Sequence, residues 1–368
     1  MEPPLERIPP QIAALADYEL YARERLPEGV WAYLNGGAGD EWTMRENVAA
    51  FARLPLRSRV LRDMRGATTR TSLLGMDMAA PILLAPTAFQ NLAHPDGELA
   101  TVLAAGALET CMVVSTQASH SLEDIAARAH GPLWFQLYIQ PDRGFTRELV
   151  SRAEAAGYRA LVVTVDAPVN GIRNREQRSG FAMPPGIEAV NLKGMMPSPP
   201  PPPGALLFGT PLLDSAPGWD DLVWLKSLTH LPVVLKGVTE ADDARMAVSR
   251  GMDGLIVSNH GGRALDGMPA AIDLLPPVAD AVQGTVPVLM DGGIRRGTDI
   301  IRALALGADA VLIGRPYVHA LAVAGALGVA HVLRLLRGEL ELAMAQTGCT
   351  SIAAIDRSVL AVTKGREQ

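Results

Sequence analysis

The strongest constraint on the fold of this chain is an alternation of short aliphatic runs and longer helix-like segments that begins near residue 80. Parallel strands need a long crossover, so strands that alternate with helices indicate a parallel sheet. Eight such units predict a closed (β/α)8 TIM barrel of the α/β class. The predicted strands are Ile82–Pro86, Met112–Ser115, Trp134–Leu137, Ala160–Asp166, Val233–Lys236, Gly254–Ser258, Val286–Asp291 and Ala310–Ile313. The clearest predicted helices are Gly97–Glu109, Ser121–Ala129, Thr146–Ala156, Thr239–Ser249 and Thr298–Leu306.

A doubly wound open sheet is the structural alternative. That fold more naturally has five or six strands and a glycine-rich first turn, and no G-x-G-x-x-G motif follows Ile82–Pro86. We therefore expect residues 1–368 to form one domain, with a barrel over 81–368. Residues 1–80 form an N-terminal prefix that begins with a helix near Asp17–Arg25.

A proline-rich segment interrupts the repeat after the fourth predicted strand. Residues 184–217 hold ten of the 28 prolines, including the run Pro199–Pro203. Polyproline is stiff and extended, so we expect a long surface loop at the C-terminal face of the barrel. Long loops in compact domains are usually either disordered insertions or active-site lids, and both alternatives stay open here.

Composition narrows the class of protein. Hydrophobic residues make up 48% of the chain, which excludes a disordered polymer. The net charge of −6 argues against nucleic acid as a partner. Two cysteines and an N-terminus without an apolar signal-peptide core lead us to expect a cytoplasmic protein. Residues 316–333 contain no Asp, Glu, Lys or Arg, and we expect a buried helix there rather than a membrane span.

Polar and glycine residues stand where the predicted strands end, which is where barrel enzymes carry their chemistry. Each has an ordinary explanation alone: a strand-end lysine often points to water, and Asp166 could cap a helix. Together, these strand-end residues would form one ring around the C-terminal face of the predicted barrel. The candidate cofactor-binding residues are Pro86, Thr87, Ala88, Ser115, Gln136, Thr164, Lys236, Ser258, Asp291, Gly292, Gly293, Arg295, Gly314 and Arg315.

The ring suggests a mononucleotide. Glycines after the seventh and eighth strands let backbone N–H groups approach a phosphate, and Arg295 and Arg315 add positive charge. The other polar side chains are donors and acceptors suited to a flat heteroaromatic ring. FMN is therefore the leading candidate cofactor, and no metal site is predicted.

The segment Ser258–Arg263, S-N-H-G-G-R, resembles the FMN-dependent α-hydroxy acid oxidase and dehydrogenase family, which includes glycolate oxidase, lactate oxidase and mandelate dehydrogenase. Matching motifs run through almost the whole chain outside the proline-rich loop. They are Tyr33 with the following G-G-A-G-D, A-P-T-A at Ala85–Ala88, Q-L-Y at Gln136–Tyr138, T-V-D at Thr164–Asp166, L-K-G-V at Leu235–Val238, D-G-G-I-R-R-G-T-D at Asp291–Asp299 and I-G-R-P at Ile313–Pro316.

The resemblance implies roles for individual residues. His260 corresponds to the catalytic base, and Asp166 to the carboxylate that stabilises its imidazolium form. Arg173 and Arg263 correspond to the arginines that bind the substrate carboxylate. Tyr33 and Tyr138 correspond to tyrosines at the carboxylate and hydroxyl ends of the substrate, and Lys236 to the lysine near the flavin N1–O2 edge.

Two positions depart from the plant-type glycolate oxidases. Gln117 stands where those enzymes carry a tryptophan, and Asn170 where they carry an aliphatic residue. Both are expected to line the pocket for the substrate side chain. Because an amide differs from an aromatic wall in size and polarity, we expect a substrate larger than glycolate, such as lactate or mandelate.

The expected function is oxidation of an L-2-hydroxy acid to the 2-oxo acid. Dioxygen is the expected re-oxidant, which would make the protein an oxidase; a quinone or another carrier would make it a dehydrogenase. A flavin-free barrel isomerase that binds a phosphorylated substrate is the alternative class, and it predicts a colourless protein. The resemblance also implies a homotetramer or homo-octamer. Some relatives attach to membranes through the proline-rich loop, but we do not expect this here, because Lys193 is the only cation that the loop offers to anionic lipid.

Overall fold

A closed barrel of eight parallel strands forms the centre of the computed structural model, which describes residues 3–195, 206–208 and 210–361. Each strand pairs with the next along the chain, and the last pairs with the first. The predicted (β/α)8 fold is confirmed. Preceding strands β1 and β2 span Thr71–Leu73 and Met76–Met78; the barrel strands are β3 Ile82–Leu84, β4 Cys111–Ser115, β5 Leu133–Leu137, β6 Leu161–Thr164, β7 Val233–Val238, β8 Gly254–Val257, β9 Val288–Asp291 and β10 Ala310–Ile313.

The barrel strands are short aliphatic runs because both of their faces are buried. Every residue of β4, β5, β6 and β8–β10 is buried, with one side turned to the barrel interior and the other to the helices. The helices are α1 Leu15–Arg25, α2 Glu28–Asn35, α3 Trp42–Ala49, α4 Gly97–Ala107, α5 Leu122–Ala127, α6 Arg143–Ala155, α7 Asn174–Arg178, α8 Pro211–Asp214, α9 Trp219–Lys226, α10 Ala241–Ser249, α11 Ala271–Val282, α12 Gly297–Ala305 and α13 Arg315–Thr347.

The N-terminal prefix is not wholly helical. Strands β1 and β2 form an antiparallel hairpin whose Met76 and Met78 pack with residues of the barrel interior. The indole Nε1 of Trp134, in β5, lies 3.1 Å from the sulfur of Met76. The hairpin therefore closes the barrel interior at its N-terminal end.

Helix α13 contains the uncharged stretch of residues 316–333. It is the helix of the described chain that is long and apolar enough to cross a membrane by length and composition, but 67% of that window is buried inside the protein. It packs against α1, α4 and α12. The predicted buried helix is therefore present, with a non-helical break at Ala324 and Gly325.

The proline-rich loop begins as packed structure rather than as a free surface loop. Residues 190–192 form a 3₁₀ turn, and Asn191 is fully buried. Its side-chain oxygen accepts a hydrogen bond from Leu122 N at 2.9 Å, and Val190 N donates to Ala118 O at 3.1 Å. The run Pro199–Pro203 lies outside the described residues.

Candidate functional site

A cavity of about 500 Å³ opens at the C-terminal ends of the barrel strands. The predicted site residues line it, with the exception of Asp166 and Ser258, which lie behind the cavity wall. The sequence motifs therefore meet in one place. The lining residues foreseen from the sequence are Tyr33, Pro86, Thr87, Ala88, Ser115, Gln117, Gln136, Tyr138, Thr164, Asn170, Arg173, Lys236, His260, Arg263, Asp291, Gly292, Gly293, Arg295, Gly314 and Arg315.

His260 and Asp166 form a pair at the cavity wall. Nδ1 of His260 lies 2.9 Å from Asp166 Oδ1, which leaves Nε2 as the ring nitrogen available to a ligand. Burial raises the pKa of Asp166, but the hydrogen bond from His260 and the charge of Lys236 outweigh burial and hold the pKa below its ordinary value. Asp166 is therefore a carboxylate at neutral pH, placed to stabilise a protonated imidazole.

Two local features set the position of this pair. His260 has a left-handed backbone (φ 57°), and its N–H donates to Ser258 Oγ at 3.0 Å. Gly237 approaches Asp166 so closely that a Cβ at residue 237 would lie 2.4 Å from the aspartate Cβ. Glycine in the L-K-G-V motif is thus needed for the carboxylate to sit beside the end of β7.

Lys236 presents a buried positive charge at the cavity floor. Its Nζ lies 3.0 Å from Asp291 Oδ2 and donates to Ser258 Oγ at 3.0 Å; Ser258 Oγ in turn donates to Asp291 Oδ1 at 2.6 Å. Burial alone lowers the pKa of the lysine, but the Asp291 and Asp166 carboxylates raise it above its ordinary value. Ser258, predicted to contact the cofactor, instead holds the lysine and aspartate together.

An oriented row of polar groups lies on β4, β5 and β6. Gln136 Oε1 accepts from Ser115 Oγ at 3.3 Å and Thr116 N at 3.2 Å, so its Nε2 donates to Thr164 Oγ1 at 3.0 Å. The amide orientation is fixed by these partners. Such a row of fixed donors and acceptors suits the polar edge of a flavin ring.

Two arginines and two tyrosines occupy another part of the cavity. The Arg263 guanidinium lies over the Tyr33 ring at 5.6 Å, and its Nη1 donates to the carbonyls of Tyr33 and Gly36 at 2.9 and 2.7 Å. Burial, then repulsion from Arg173, lowers the pKa of Arg263 to about 10. Arg173 Nε is buried without a hydrogen-bond partner in the described chain. Burial also raises the pKa values of Tyr33 and Tyr138, which remain neutral phenols.

The part of the cavity beside the start of α13 fits a phosphate. Gly292 and Gly293 have φ values of 97° and 86°, and Gly314 precedes the first turn of α13, whose free N–H groups favour an anion. Burial, then repulsion from Arg263 and Arg295, lowers the pKa of Arg315 to about 9, and its Nε is buried without a partner in the described chain. A bound phosphate would supply the missing acceptor and negative charge, so the residues present fit FMN.

Some lining residues were not foreseen from the sequence. Phe89, Met44, Asn47 and His319 all line the cavity. Asn47 and Asn259 exchange two hydrogen bonds of 2.8 and 2.9 Å, which tie the prefix to the loop after β8. Burial lowers the pKa of His319 to about 3, so this ring is neutral and bonds Asn35 at 2.6 Å. The G-G-A-G-D stretch near Asn47 was the available signal that the prefix reaches the site.

Comparisons with known proteins agree with this site. The family model described as FMN-dependent dehydrogenase matches residues 22–362. The chain is 50% identical to an L-lactate oxidase of Nostoc sp. over 94% of this chain and 97% of the relative. It is 44% identical to glycolate oxidase 1 of Zea mays over 94% of this chain and 95% of the relative.

Solved structures show the same architecture. A mandelate oxidase variant in complex with (S)-mandelic acid aligns with a TM-score of 0.87 and 41% identity, covering 96% of this chain and 99% of the other. The family match and these identities far exceed what a shared barrel fold alone would give. The chain therefore belongs to the FMN-dependent dehydrogenase family, and its cofactor is FMN.

Proposed function

We propose that this protein oxidises an L-2-hydroxy acid larger than glycolate to the 2-oxo acid and passes the electrons to dioxygen. The observation that carries the proposal is the convergence of the His260–Asp166 pair with Arg173 and Arg263 on one cavity. A proton acceptor beside two partly buried cations matches the hydroxyl and carboxylate of a 2-hydroxy acid. A quinone or other carrier as acceptor is the alternative.

The arginines would bind and orient the substrate carboxylate. A guanidinium suits this task because its planar fork can donate two parallel hydrogen bonds to a carboxylate. Arg263 is held rigidly by the carbonyls of Tyr33 and Gly36, whereas Arg173 keeps a free Nε donor within the described structure. Fixing one end of the acid places its α-carbon and hydroxyl near His260 and Tyr138.

His260 would take the proton that leaves the substrate. That proton comes either from the hydroxyl, with hydride leaving the α-carbon, or from the α-carbon itself. In both cases it ends on Nε2 and creates an imidazolium whose charge is balanced by Asp166, 2.9 Å from Nδ1. FMN, when bound, supplies the acceptor for the two electrons that the α-carbon loses.

Dioxygen as re-oxidant is supported by the relatives, several of which are named as oxidases of lactate or glycolate. The test is to add glycolate, lactate, 2-hydroxyoctanoate and mandelate to purified protein without oxygen and record the flavin spectrum. Bleaching followed by recovery and peroxide formation on admitting air is expected. Bleaching with no oxygen uptake would assign a dehydrogenase, and a colourless protein that cannot be reconstituted with FMN would contradict the proposal.

Substrate size is the second part of the proposal. Gln117 and Asn170 both line the cavity, which supports a substrate-facing role for the two positions that differ from plant glycolate oxidases. Cytoplasmic location and a homotetramer or homo-octamer remain predictions.

Replacing Gln117 with tryptophan tests the size preference. The Gln117→Trp variant is expected to lose kcat/KM for 2-hydroxyoctanoate and mandelate by about tenfold or more while keeping glycolate activity, because the larger ring fills the side-chain pocket. Gln346→Trp, at an exposed position of α13, is the control. Equal losses for all four acids, or a wild-type preference for glycolate, would show that Gln117 does not set substrate size.

A further inference from the structure

We propose that Glu98 is a positioning residue that holds together the two loops forming the wall of the substrate side-chain pocket, and thereby sets the size selectivity of the enzyme. The inference rests on the proposed function, since the pocket it shapes is the one assigned to the hydroxy acid side chain. Glu98 does not line the cavity and does not belong to the ring of strand-end residues.

The carboxylate of Glu98 joins two separate loops. Glu98 is the second residue of α4 and is fully buried. Its Oε1 accepts a hydrogen bond from Gln90 N at 3.1 Å, in the loop after β3, and from Ser119 N at 3.0 Å, in the loop after β4. One oxygen atom therefore fixes the separation of these two backbones.

The residues next to this clamp form the wall. Phe89 precedes Gln90, Gln117 lies two residues before Ser119, and both line the cavity. Phe89 N donates to Gln117 O at 3.0 Å. A shift of one loop therefore either breaks this bond or moves the other loop with it. Phe89 has a left-handed backbone (φ 52°), and its ring lies 6.3 Å from that of Tyr33, close to the arginines.

Two other contacts join the loops, but neither replaces the clamp. Phe89 N donates to Gln117 O at 3.0 Å and Asn91 N donates to Ser119 Oγ at 3.3 Å, so neither gives an acceptor to Gln90 N or Ser119 N. Without Glu98, the buried N–H groups of Gln90 and Ser119 would lose their acceptor, which is costly enough to drive the loops to rearrange.

An amide should serve almost as well as the carboxylate. Glu98 Oε2 is buried without a partner, and so are Asn91 Oδ1 and His120 Nε2 in the same region. Burial raises the pKa of Glu98, which makes a neutral replacement easy to tolerate. In Glu98→Gln, Oε1 can keep both backbone hydrogen bonds while Nε2 takes the place of the unpartnered oxygen.

The test compares Glu98→Gln, Glu98→Asp and Glu98→Ala as FMN-loaded enzymes. The readout is the ratio of kcat/KM for 2-hydroxyoctanoate to that for glycolate. We expect Glu98→Gln to keep this ratio within about threefold. Glu98→Ala should raise it at least tenfold, mainly through KM, because the wall moves outward while His260 and Arg263, on the loop after β8, stay in place. Glu98→Asp, too short to reach both N–H groups, should behave like alanine and decides the question if Glu98→Ala does not fold.

Asp309→Ala is the matched control. Its carboxylate also accepts a backbone hydrogen bond, from Val288 N at 2.8 Å, but at the opposite end of the barrel. It should lower the melting temperature and leave the substrate ratio unchanged. A wild-type ratio in folded Glu98→Ala or Glu98→Asp, or a shifted ratio in Asp309→Ala, would overturn the inference.

Hydrogen exchange separates this inference from the proposed function. Amide exchange across residues 85–92 and 116–121 should increase in Glu98→Ala and Glu98→Asp but not in Glu98→Gln. Unchanged exchange in both shortened variants overturns the clamp whether or not the enzyme is active. If wild type oxidises none of the acids, the proposed function fails and the selectivity role fails with it.

Discussion

At the scale of single residues, backbone conformation and hydrogen bonds fix the orientation of the side chains in the site. His260 sits on a left-handed backbone and is fixed at its N–H by Ser258 and at Nδ1 by Asp166. Its ring is therefore oriented before substrate arrives, with Nε2 free to act. A histidine base depends on the hydrogen bond made by one ring nitrogen as well as on the other nitrogen, which takes the proton.

Asp166→Asn is expected to lower kcat/KM by about 10²- to 10⁴-fold, because an amide cannot balance the imidazolium charge. The pKa of Asp166 is lowered in the folded protein, so its stabilising contribution is complete above its unfolded pKa and fades as pH falls through the folded value. Below about pH 4, wild type should therefore lose unfolding free energy more steeply than the variant.

Asp96→Asn is the control for this prediction. Asp96 lies 3.9 Å from His94, and neither residue lines the cavity. Its kcat/KM should match wild type. A wild-type kcat/KM in Asp166→Asn would contradict the role of the pair.

Arg263→Lys is expected to raise KM for the hydroxy acid, because an ammonium cannot hold the carbonyls of Tyr33 and Gly36 and also donate two parallel hydrogen bonds to a carboxylate, as the planar guanidinium can. Breaking a buried charged pair typically costs about 2–5 kcal/mol, which is about 30-fold or more in kcat/KM. Arg302→Lys, at another arginine that donates to a backbone carbonyl (Leu54 O, 2.7 Å), is the control. If wild type oxidised the methyl ester of the acid as fast as the free acid, the carboxylate role would be excluded.

At the scale of secondary structure, the strands were predictable because both faces are buried and the runs are aliphatic. Helix α11 was not foreseen, since Pro276 and Pro277 lie inside it and prolines normally end a helix. The β1–β2 hairpin was missed because each strand has only three residues. Predicted strand ends differ from the observed ones by a few residues. For example, the strand predicted at Ala160–Asp166 is β6, which spans Leu161–Thr164.

Most of the site was foreseen where its residues belong to strand-end motifs, and Tyr33 was foreseen in the prefix; Met44 and Asn47, where the prefix folds over the barrel, were missed. The side chains of Met44 and Asn47 come from α3, whose sequence has no chemical signal of its own. Their place depends on long-range contacts, such as the Asn47–Asn259 pair across 212 positions of sequence. A contact between residues so far apart in the sequence cannot be predicted from the residues next to either of them.

The turn after β9 shows how closely these elements approach. A Cβ on Gly293 would lie 1.9 Å from the backbone oxygen of Asn47, so alanine there must push α3 away. Gly293→Ala is expected to lower the melting temperature and weaken FMN binding by at least tenfold, measured by flavin fluorescence quenching. Gly284→Ala is the control: Gly284 also has positive φ (71°), but nothing lies within 4 Å of the added Cβ. It should cost only about 1 kcal/mol of stability and leave FMN affinity unchanged. If both variants lowered the melting temperature and FMN affinity equally, the positive φ alone, and not the close contact with Asn47, would explain the effect of Gly293→Ala.

At the scale of the whole molecule, the barrel gathers one buried and three partly buried cations around one cavity. Lys236, Arg263, Arg295 and Arg315 all line it, and burial is the first cause that lowers the pKa of each of the three arginines. Lys236 is balanced by Asp291, whereas Arg263 and Arg315 repel each other and, among the described residues, donate only to backbone carbonyls. The protein without cofactor therefore holds uncompensated positive charge, and an anion should stabilise it.

We expect inorganic phosphate to raise the melting temperature of FMN-free protein more than chloride at equal ionic strength, and FMN to raise it further. Ligand at 100 times its Kd contributes about 2.7 kcal/mol. Arg315→Met should lose most of the phosphate effect. Arg337→Met, which removes an arginine paired with Glu341 on the surface of α13, should keep it. An equal response to phosphate and chloride, or a full response in Arg315→Met, would contradict a phosphate site at the start of α13.

The same charges give this stabilisation a pH dependence. The pKa values of Arg315 and Arg263 in the folded protein, about 9 and about 10, lie below their values in the unfolded chain. Above about pH 9, the unfolded chain thus binds more protons than the folded one, so these groups make the FMN-free protein more stable as pH rises. The phosphate of FMN needs Arg315 protonated, so FMN binding should take up protons there and weaken. The gain in melting temperature from FMN should therefore shrink between pH 7.5 and 9.5 in wild type, and shrink less in Arg315→Met; a constant gain in wild type would show that the arginines stay charged.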